Sequence, residues 1–525
     1  MKISSYQPIW NDQFHSIAKY LQKTLSNCEI KHVGLTAIRG MAACPIIDIH
    51  VVIPTINELP LMNDCLQILD YLFIGNTKTI GEYNYQNNNL DFPNHHLSVV
   101  IAGEEADFYQ TRFQQCCQDD LSLVIQCSNH LLSTYPGEVI LSQYYEETRI
   151  LMETELKNRG IQAMRHQIMW PDFNNSLMNV TSSIQKHYQV KPLSSTLDCV
   201  DEALEGKQHV FLILLDGMGI DIMEKNLPLD AYLWKYLRKQ ITSIYPPTTV
   251  AATTAVQTGL LPNETGWIGW HQYFKAIDRD VILFRNEDYY TDEVIPGVDT
   301  QVLLPTTPIY QHFKGVQAQT LWPSFRPDGF HTFHDMIDRA IEISHTSEET
   351  YTYLYWNEPD ASLHELGCQN DDIRSILSNL SDEVERFKEY CGSKSTIIVV
   401  ADHGLVDVLP IYINRFKDIT DLLTTRPSLE GRSTVFFVKD KQTFPQVFRR
   451  YFSNYFDLYA CETFMATGLL GDHPEKCKPF LGDFIALAKD KYTLCAKVKE
   501  ECFIATHAGQ TRGEMLVPLI IIEKD

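Results

Sequence analysis

The 525-residue chain has no C-x-x-C pair, no internal repeat and no low-complexity tract. Its thirteen cysteines are scattered and odd in number. That spacing excludes a disulfide framework as the basis of the fold and leads us to expect reduced thiols in a cytoplasmic compartment. The longest apolar runs, such as VFLILL and LVPLIII, have the length of strands and are far too short to span a bilayer. The opening MKISSYQPIWNDQFHS lacks the apolar core of a secretory signal, although an export route without such a signal would leave no mark here. Basic residues are also in short supply: 44 Lys and Arg stand against 67 Asp and Glu, for a net charge of −23. So acidic a chain is a poor scaffold for nucleic acid or an anionic membrane. Small anionic substrates stay within reach, because bound metal ions can invert a local field.

The hydrophobic fraction of 44% and the charged fraction of 21% are those of a folded globular protein, and the length suggests two or three domains. Two blocks can be distinguished. The first, residues 1–165, holds the strand-like runs CPIIDIHVVIP and HLSVVIAG and a helix-like SQYYEETRILMETELKNRG that closes on a glycine. The stretch RHQIMWPDFNNSLMNVTSS, with its proline and asparagines, then reads as part linker and part helix start. The second block, residues 170–525, alternates unbroken apolar strands with helices: HVFLILLDGMG, ETYTYLYWNEPD, STIIVVADHG and the closing GEMLVPLIII. That pattern predicts an α/β sheet covered by helices on both faces. In such sheets ligands bind beyond the carboxyl ends of the strands, where Asp216, Asp360 and the Asp402–His403 pair fall.

Each of these groups has an ordinary explanation when taken singly. Asp216 could cap a helix. Asp360 and His364, four apart, could share a metal from one helix face or merely stand on a solvated first turn. Asp402 and His403 can serve one ion only where the strand breaks, which Gly404 permits. His507 could be a turn residue. Together they supply three carboxylates and three imidazoles, enough for two adjacent sites of mixed N/O ligands that suit zinc, with manganese as an alternative. Two such metals can clamp the attacking and leaving oxygens of a phosphoryl displacement. The residue still to be found is a nucleophile, and YPPTTVAATTAVQTGLLPNETGW offers several threonines.

With these motifs in view, the second block resembles the type I phosphodiesterase/nucleotide pyrophosphatase family of the alkaline phosphatase superfamily. The likeness rests on FLILLDGMG, PPTTVAATTAVQTGLLP, EPDASLHELG, VVADHG and THAGQ, in that order. It implies an alkaline-phosphatase-like sheet and, registered on TGLLP, a nucleophile at Thr249. It implies one zinc held by Asp216, Asp402, His403 and Thr249, and a second held by Asp360, His364 and His507. In-line attack on phosphorus and a covalent phosphoryl- or nucleotidyl-threonine would follow. The placement suits chemistry, because Thr249 is expected just before a helix whose N-terminal N–H groups favour a phosphate. Thr253, Thr254 and Thr258 read as helix-packing residues. Sulfatases on the same fold carry C/S-x-P-x-R, which is absent at the nucleophile here. One departure stands out. The family commonly places an asparagine soon after T-G-L-x-P, where it contacts a phosphate oxygen, and this chain has Trp270 at about that position. Trp267, Trp270 and Tyr273 then become substrate-binding candidates, with core packing as the alternative. The stretch between Gly404 and His507 is expected to form a cap-like insertion, and Arg432 in it to meet either an acid or a phosphate.

KHVGLTAIRGMAACPIIDIHVVIP, HLSVVIAG and the helix after them resemble the GrpB family, which implies an α+β nucleotidyltransferase-like fold. Active nucleotidyltransferases pair a Gly-Ser turn with D-x-D. Here the turn is Gly34-Leu35-Thr36 and the pair is Asp48-Ile49-His50. A lone carboxylate holds magnesium poorly, which favours a binding or structural role. The expectation for the whole chain is a metal-dependent hydrolase of phosphodiester or pyrophosphate bonds in small phosphorylated or nucleotide-like substrates. A phosphomonoesterase or phosphomutase on the same fold is one alternative. A nucleotide-sensing protein with a vestigial hydrolase domain is the other.

Overall fold

The structure is a computed structural model and describes residues 1–26, 28–87, 92–161, 167–497 and 502–524. Arg165 and His166, which open the expected linker, lie outside the described residues, and the expected helix start follows as Leu177–His187. Two compact units make up the chain. The first comprises 1–165 together with 414–421 and 442–455, and the second comprises the remainder.

The first unit is built on a five-stranded sheet in the order Glu29–Val33, Ile47–Ile53, His95–Ile101, Glu82–Asn87, Tyr71–Asn76. Alternation sends Ile47, Ile49, Val51, Leu97 and Val99 to one buried face. The opposite face carries Asp48, His50, Glu82, His96 and Ser98, aligned by the register that pairs Asp48 with His96 and His50 with Ser98. The expected long helix is present as Leu141–Asn158, followed by Gly160 at φ 74°. The helix Thr443–Phe452 belongs to this unit as well. Its Tyr451 ring stacks on Phe73 at 5.2 Å, and Tyr83 donates its hydroxyl to the Tyr451 carbonyl at 3.0 Å.

The second unit centres on a six-stranded sheet. Its order is Gln317–Leu321, Thr350–Trp356, His209–Leu215, Ser395–Val400, Leu516–Lys524, Leu237–Thr242. The first four strands are parallel, and Leu516–Lys524 runs against both of its neighbours. His209–Leu215 and Ser395–Val400 are buried along their whole length, so both faces are covered and the sequence shows no alternation. Helices such as Phe333–Ser344 and Asp371–Tyr390 bury one apolar stripe each against it. In-register pairing of Leu215 with Trp356, and of Leu214 with Val400, brings three strand ends side by side. The chemistry-bearing residues leave the sheet at those ends.

The stretch 404–507 does not form a single cap. Residues 414–421 and 442–455 join the first unit. Ser428–Leu429, Ser433–Phe436, Phe456–Ala460 and Phe484–Ala488 instead pair into a seven-stranded sheet with His271–Phe274, Arg279–Ile282 and Glu287–Asp288. One pairing, Leu429 with His271, joins segments 158 residues apart, so no local pattern announces the sheet as a whole. Cys495 and Cys502 form a disulfide, and the other eleven cysteines are free thiols. Among the described residues no helix is long and apolar enough to cross a membrane.

Candidate active site

The motif glycines show why the sequence folds as it does at the strand ends. A Cβ on Gly219 would come within 2.6 Å of the Gly404 Cα, and one on Gly404 within 2.2 Å of the Gly513 carbonyl oxygen. The turns of DGMG and ADHG are pressed backbone against backbone, which no side chain allows. The Asp216 carboxylate is thereby set beside Asp402, whose Oδ1 accepts the N–H groups of Gly217 and His403 at 3.1 and 3.0 Å. Ser243 donates to the Asp402 carbonyl, and Tyr355 donates its hydroxyl to Asp216. Sequence reasoning missed Tyr355. Its signal was an inward tyrosine on an apolar strand, which reads as core.

Two groups of side chains that could each hold a metal ion result. Asp216, Asp402 and His403 form one, and Asp360, His364 and His507 form the other; within each group the donor atoms lie within 4.8 Å of one another. The helix Asp360–Leu366 places Asp360 and His364 one turn apart, with His364 Nε2 3.4 Å from Asp360 Oδ2. His507 Nε2 is 3.9 Å from Asp360 Oδ1. The two groups adjoin through the rings of His403 and His507, whose centroids are 3.9 Å apart. Both His364 and His403 engage a carbonyl through Nδ1, Ala505 at 2.8 Å and Gly404 at 3.2 Å. That contact fixes the tautomer and leaves each Nε2 lone pair facing its carboxylates.

The donor set fits divalent cations on two further observations. Asp360 Oδ1 and Asp402 Oδ2 are buried without a hydrogen-bond partner among the described residues. Such atoms are costly unless something electropositive meets them. The carboxylates also oppose one another. Burial, then the charges of Asp402 and Asp360, push Asp216 well above the ordinary carboxylate range. Burial raises Asp402 too, whereas the neighbouring His364 and His507 hold Asp360 low despite its burial. Burial, then His403, drives His507 far below the usual imidazole value, so it offers a neutral nitrogen.

Thr249 is the first residue of the helix Thr249–Thr258, with Thr248 as its cap. Sequence reasoning put it one position earlier, just outside the helix. Its Oγ1 lies 3.2 Å from His403 Nε2 and donates to Asp216 Oδ1 at 3.4 Å. The later threonines turn back into their own helix: Thr253 donates to the Thr249 carbonyl at 2.6 Å, and Thr258 to that of Thr254 at 2.7 Å. A cavity of about 500 Å³ opens over Thr249, Asp360, His364 and His507, with Trp270, Arg285, Tyr289 and Glu430 in its wall.

Trp270 does line this cavity. Trp267 does not: it is 1% exposed, packs with Val250 and Leu283, and donates its indole N–H to the Leu304 carbonyl. Its large apolar surface gains more inside the core than at a wet wall. Tyr273 donates to Asp278 at an exposed position. Arg432 meets no phosphate. It is wholly buried and grips Glu514 with two nitrogens, at 2.6 and 2.9 Å. Glu514 in turn accepts the N–H groups of Gly509 and Thr511, which ties down the loop that carries His507. The residue that sequence reasoning overlooked altogether is Glu430, two positions before Arg432.

No curated protein matches the chain. Among solved structures it is similar to murine ectonucleotide pyrophosphatase/phosphodiesterase 5 in an inactive form bound to AMP, at 16% identity and TM-score 0.47, over 60% of this chain and 87% of that one. The human counterpart matches at 17% identity and TM-score 0.47, over 59% and 87%. Residues 1–122 match the GrpB protein family. Residues 210–510 match the model for type I phosphodiesterase/nucleotide pyrophosphatase, more than half of the chain and spanning all the strand ends described above. The chain therefore belongs to the type I phosphodiesterase/nucleotide pyrophosphatase family, phosphoric ester hydrolases with an alkaline-phosphatase-like fold, and carries a GrpB domain ahead of that fold.

Proposed function

We propose that the protein hydrolyses phosphodiester or pyrophosphate bonds of nucleotide-like substrates, with Thr249 as nucleophile and two zinc ions as cofactors. The observation that carries this reading is the position of Thr249: a hydroxyl at the first turn of a ten-residue helix, within 3.4 Å of the first ligand group and on the wall of the cavity it shares with the second. Asp216, Asp402, His403 and Thr249 would hold one ion, and Asp360, His364 and His507 the other. When bound, the pair supplies Lewis-acid stabilisation of the oxygens that gain charge at phosphorus.

The protein's own groups do the rest. The helix start presents N–H groups and a partial positive charge to the non-bridging phosphate oxygens. Asp216 and His403 flank Oγ1 of Thr249, so the hydroxyl proton has acceptors at hand as the new O–P bond forms. The P–O bond to the leaving group breaks opposite it. Water then cleaves the phosphothreonine ester and restores the hydroxyl. Tyr355, buried against Asp216, and the carbonyls of Ala505 and Gly404 hold the ligand side chains in place throughout.

Purified protein supplied with zinc and assayed on bis-p-nitrophenyl phosphate tests this reading. Activity should depend on added metal and vanish in Thr249→Ala. Retention of wild-type rates by Thr249→Ala would remove the nucleophile assignment. A strong preference for p-nitrophenyl phosphate would favour the monoesterase alternative.

A further inference from the structure

Glu430 stands half-buried in the cavity wall beside the helix that begins at Thr249, and its surroundings are unusual for an acid. Oε1 accepts the Thr248 hydroxyl at 2.7 Å and the Trp270 N–H at 2.6 Å. Both donors are neutral, and among the described residues no cationic side chain pairs with it. A carboxylate held partly from water without a cation is costly, and burial pushes its pKa up against the hydrogen bonds from Thr248 and Trp270, which favour the ionised form. The residue before it adds a second cost. Leu429 has φ 79°, the left-handed region that a branched side chain rarely enters. Leu429 is nevertheless locked in place, buried in the core and paired with Thr434 and His271 across two strands. Strain of this kind persists where the surrounding structure insists on it, and such sites cluster around function.

The Trp270 backbone N–H, on the cavity wall, is spent on Glu430. In this chain that corner of the cavity is lined by an acceptor, next to the residue that precedes Thr249. The wall's Arg285 and Lys497 lie over the rings of Trp270 and Tyr289, and Lys497 is bound to Asp292 at 2.7 Å, while Asp360 adds a further carboxylate. A phosphodiester brings one anionic charge to phosphorus, whereas a phosphomonoester brings two. A fixed carboxylate beside the nucleophile penalises the second charge.

Resting on the hydrolase reading above, we propose that Glu430 is a specificity-determining residue that selects singly charged phosphodiesters over doubly charged phosphomonoesters. It acts on substrate choice through charge and takes no part in bond making.

The test uses the full zinc-loaded chain and its Glu430→Gln variant, which keeps shape and removes charge. The ratio of kcat/KM for p-nitrophenyl phosphate to that for bis-p-nitrophenyl phosphate should rise at least tenfold in Glu430→Gln. Inorganic phosphate, titrated by calorimetry, should bind it at least tenfold more tightly than it binds the wild type. A parallel fall in both rates with unchanged phosphate affinity would mean that Glu430 is only structural and would overturn the proposal. Should the variant not fold, the wild type still decides: dimethyl phosphate must bind at least tenfold more tightly than inorganic phosphate, and the reverse order sinks the idea. The binding measurements do not depend on turnover. A loss of the nucleophile assignment at Thr249 is therefore distinguishable from a loss of this one.

Discussion

Oγ1 of Thr249 lies 3.2 Å from Nε2 of His403, a residue 154 positions further along the chain. The contact joins the segment that carries the proposed nucleophile to the ADHG turn and makes the first prediction. Thr249→Ala should lower kcat on bis-p-nitrophenyl phosphate by at least about a thousandfold. Its melting temperature should stay close to that of the wild type, because the residue makes no core contact that alanine cannot replace. Thr249→Ser should retain measurable turnover. Activity that survives in the alanine variant would point to a different nucleophile.

Metal content is the second readout. Plasma emission analysis of purified protein should give two zinc or manganese ions per chain, and His364→Ala or Asp360→Asn should lower that to one. Chelation should also destabilise the protein, by about 2.7 kcal/mol for each site held at a hundred times its Kd. Equal thermal stability with and without chelator would argue that the two acid–imidazole groups are not metal sites.

The Arg432–Glu514 pair makes the third. Arg432→Met leaves a buried carboxylate uncompensated and should cost about 3–5 kcal/mol in urea unfolding. Burial would raise Glu514, but Arg432 holds it below the ordinary carboxylate value. Its folded-state pKa is the lower one, so the stabilisation is present above the unfolded value and is lost as the pH falls through the folded value. The variant should therefore flatten the acid limb of the stability curve. Since Glu514 also anchors Gly509 and Thr511, zinc affinity should fall with it, through His507.

How much of this could be read from the chain depends on where each contact sits. The DGMG, EPDASLHELG and ADHG motifs were legible because parallel in-register strands convert sequence motifs into neighbours at one sheet end. His507 was legible only through the resemblance, since a histidine before a strand has no local signature. Glu430 and Tyr355 were not legible. Glu430 depends on a two-residue strand that meets segments far away in sequence, and Tyr355 shares its strand with residues that are simply core. Trp267 was misplaced for the same reason. An indole near a motif looks like a binding group until the carbonyl that receives its N–H is known.

The first unit supplies a pH prediction. Burial lowers His50 from 6.5 to about 3 and His32 to about 4. Below pH 6.5 the unfolded chain takes up protons that these folded residues refuse until the lower values are reached. The unfolded state then binds more protons, and stability falls as the pH falls from 6.5 towards 3. His96 works in the opposite sense above 6.5, because Asp48 more than offsets the burial that would lower it. Unfolding of the first unit, followed by hydrogen exchange at pH 7 and pH 5, should be easier at pH 5. His50→Gln should narrow the gap, and an unchanged gap would show that His50 is not its source.

The membership of residues 442–455 in the first unit has a consequence for synthesis. Phe73 and Tyr83 wait for Tyr451, so that unit is incomplete when residue 165 leaves the ribosome. At typical rates of elongation the missing helix emerges about 15–60 s later. For that interval an aromatic sheet edge is uncovered on a nascent chain, which makes it a natural point for a chaperone to hold. It also makes residues 1–165 a poor fragment to express alone.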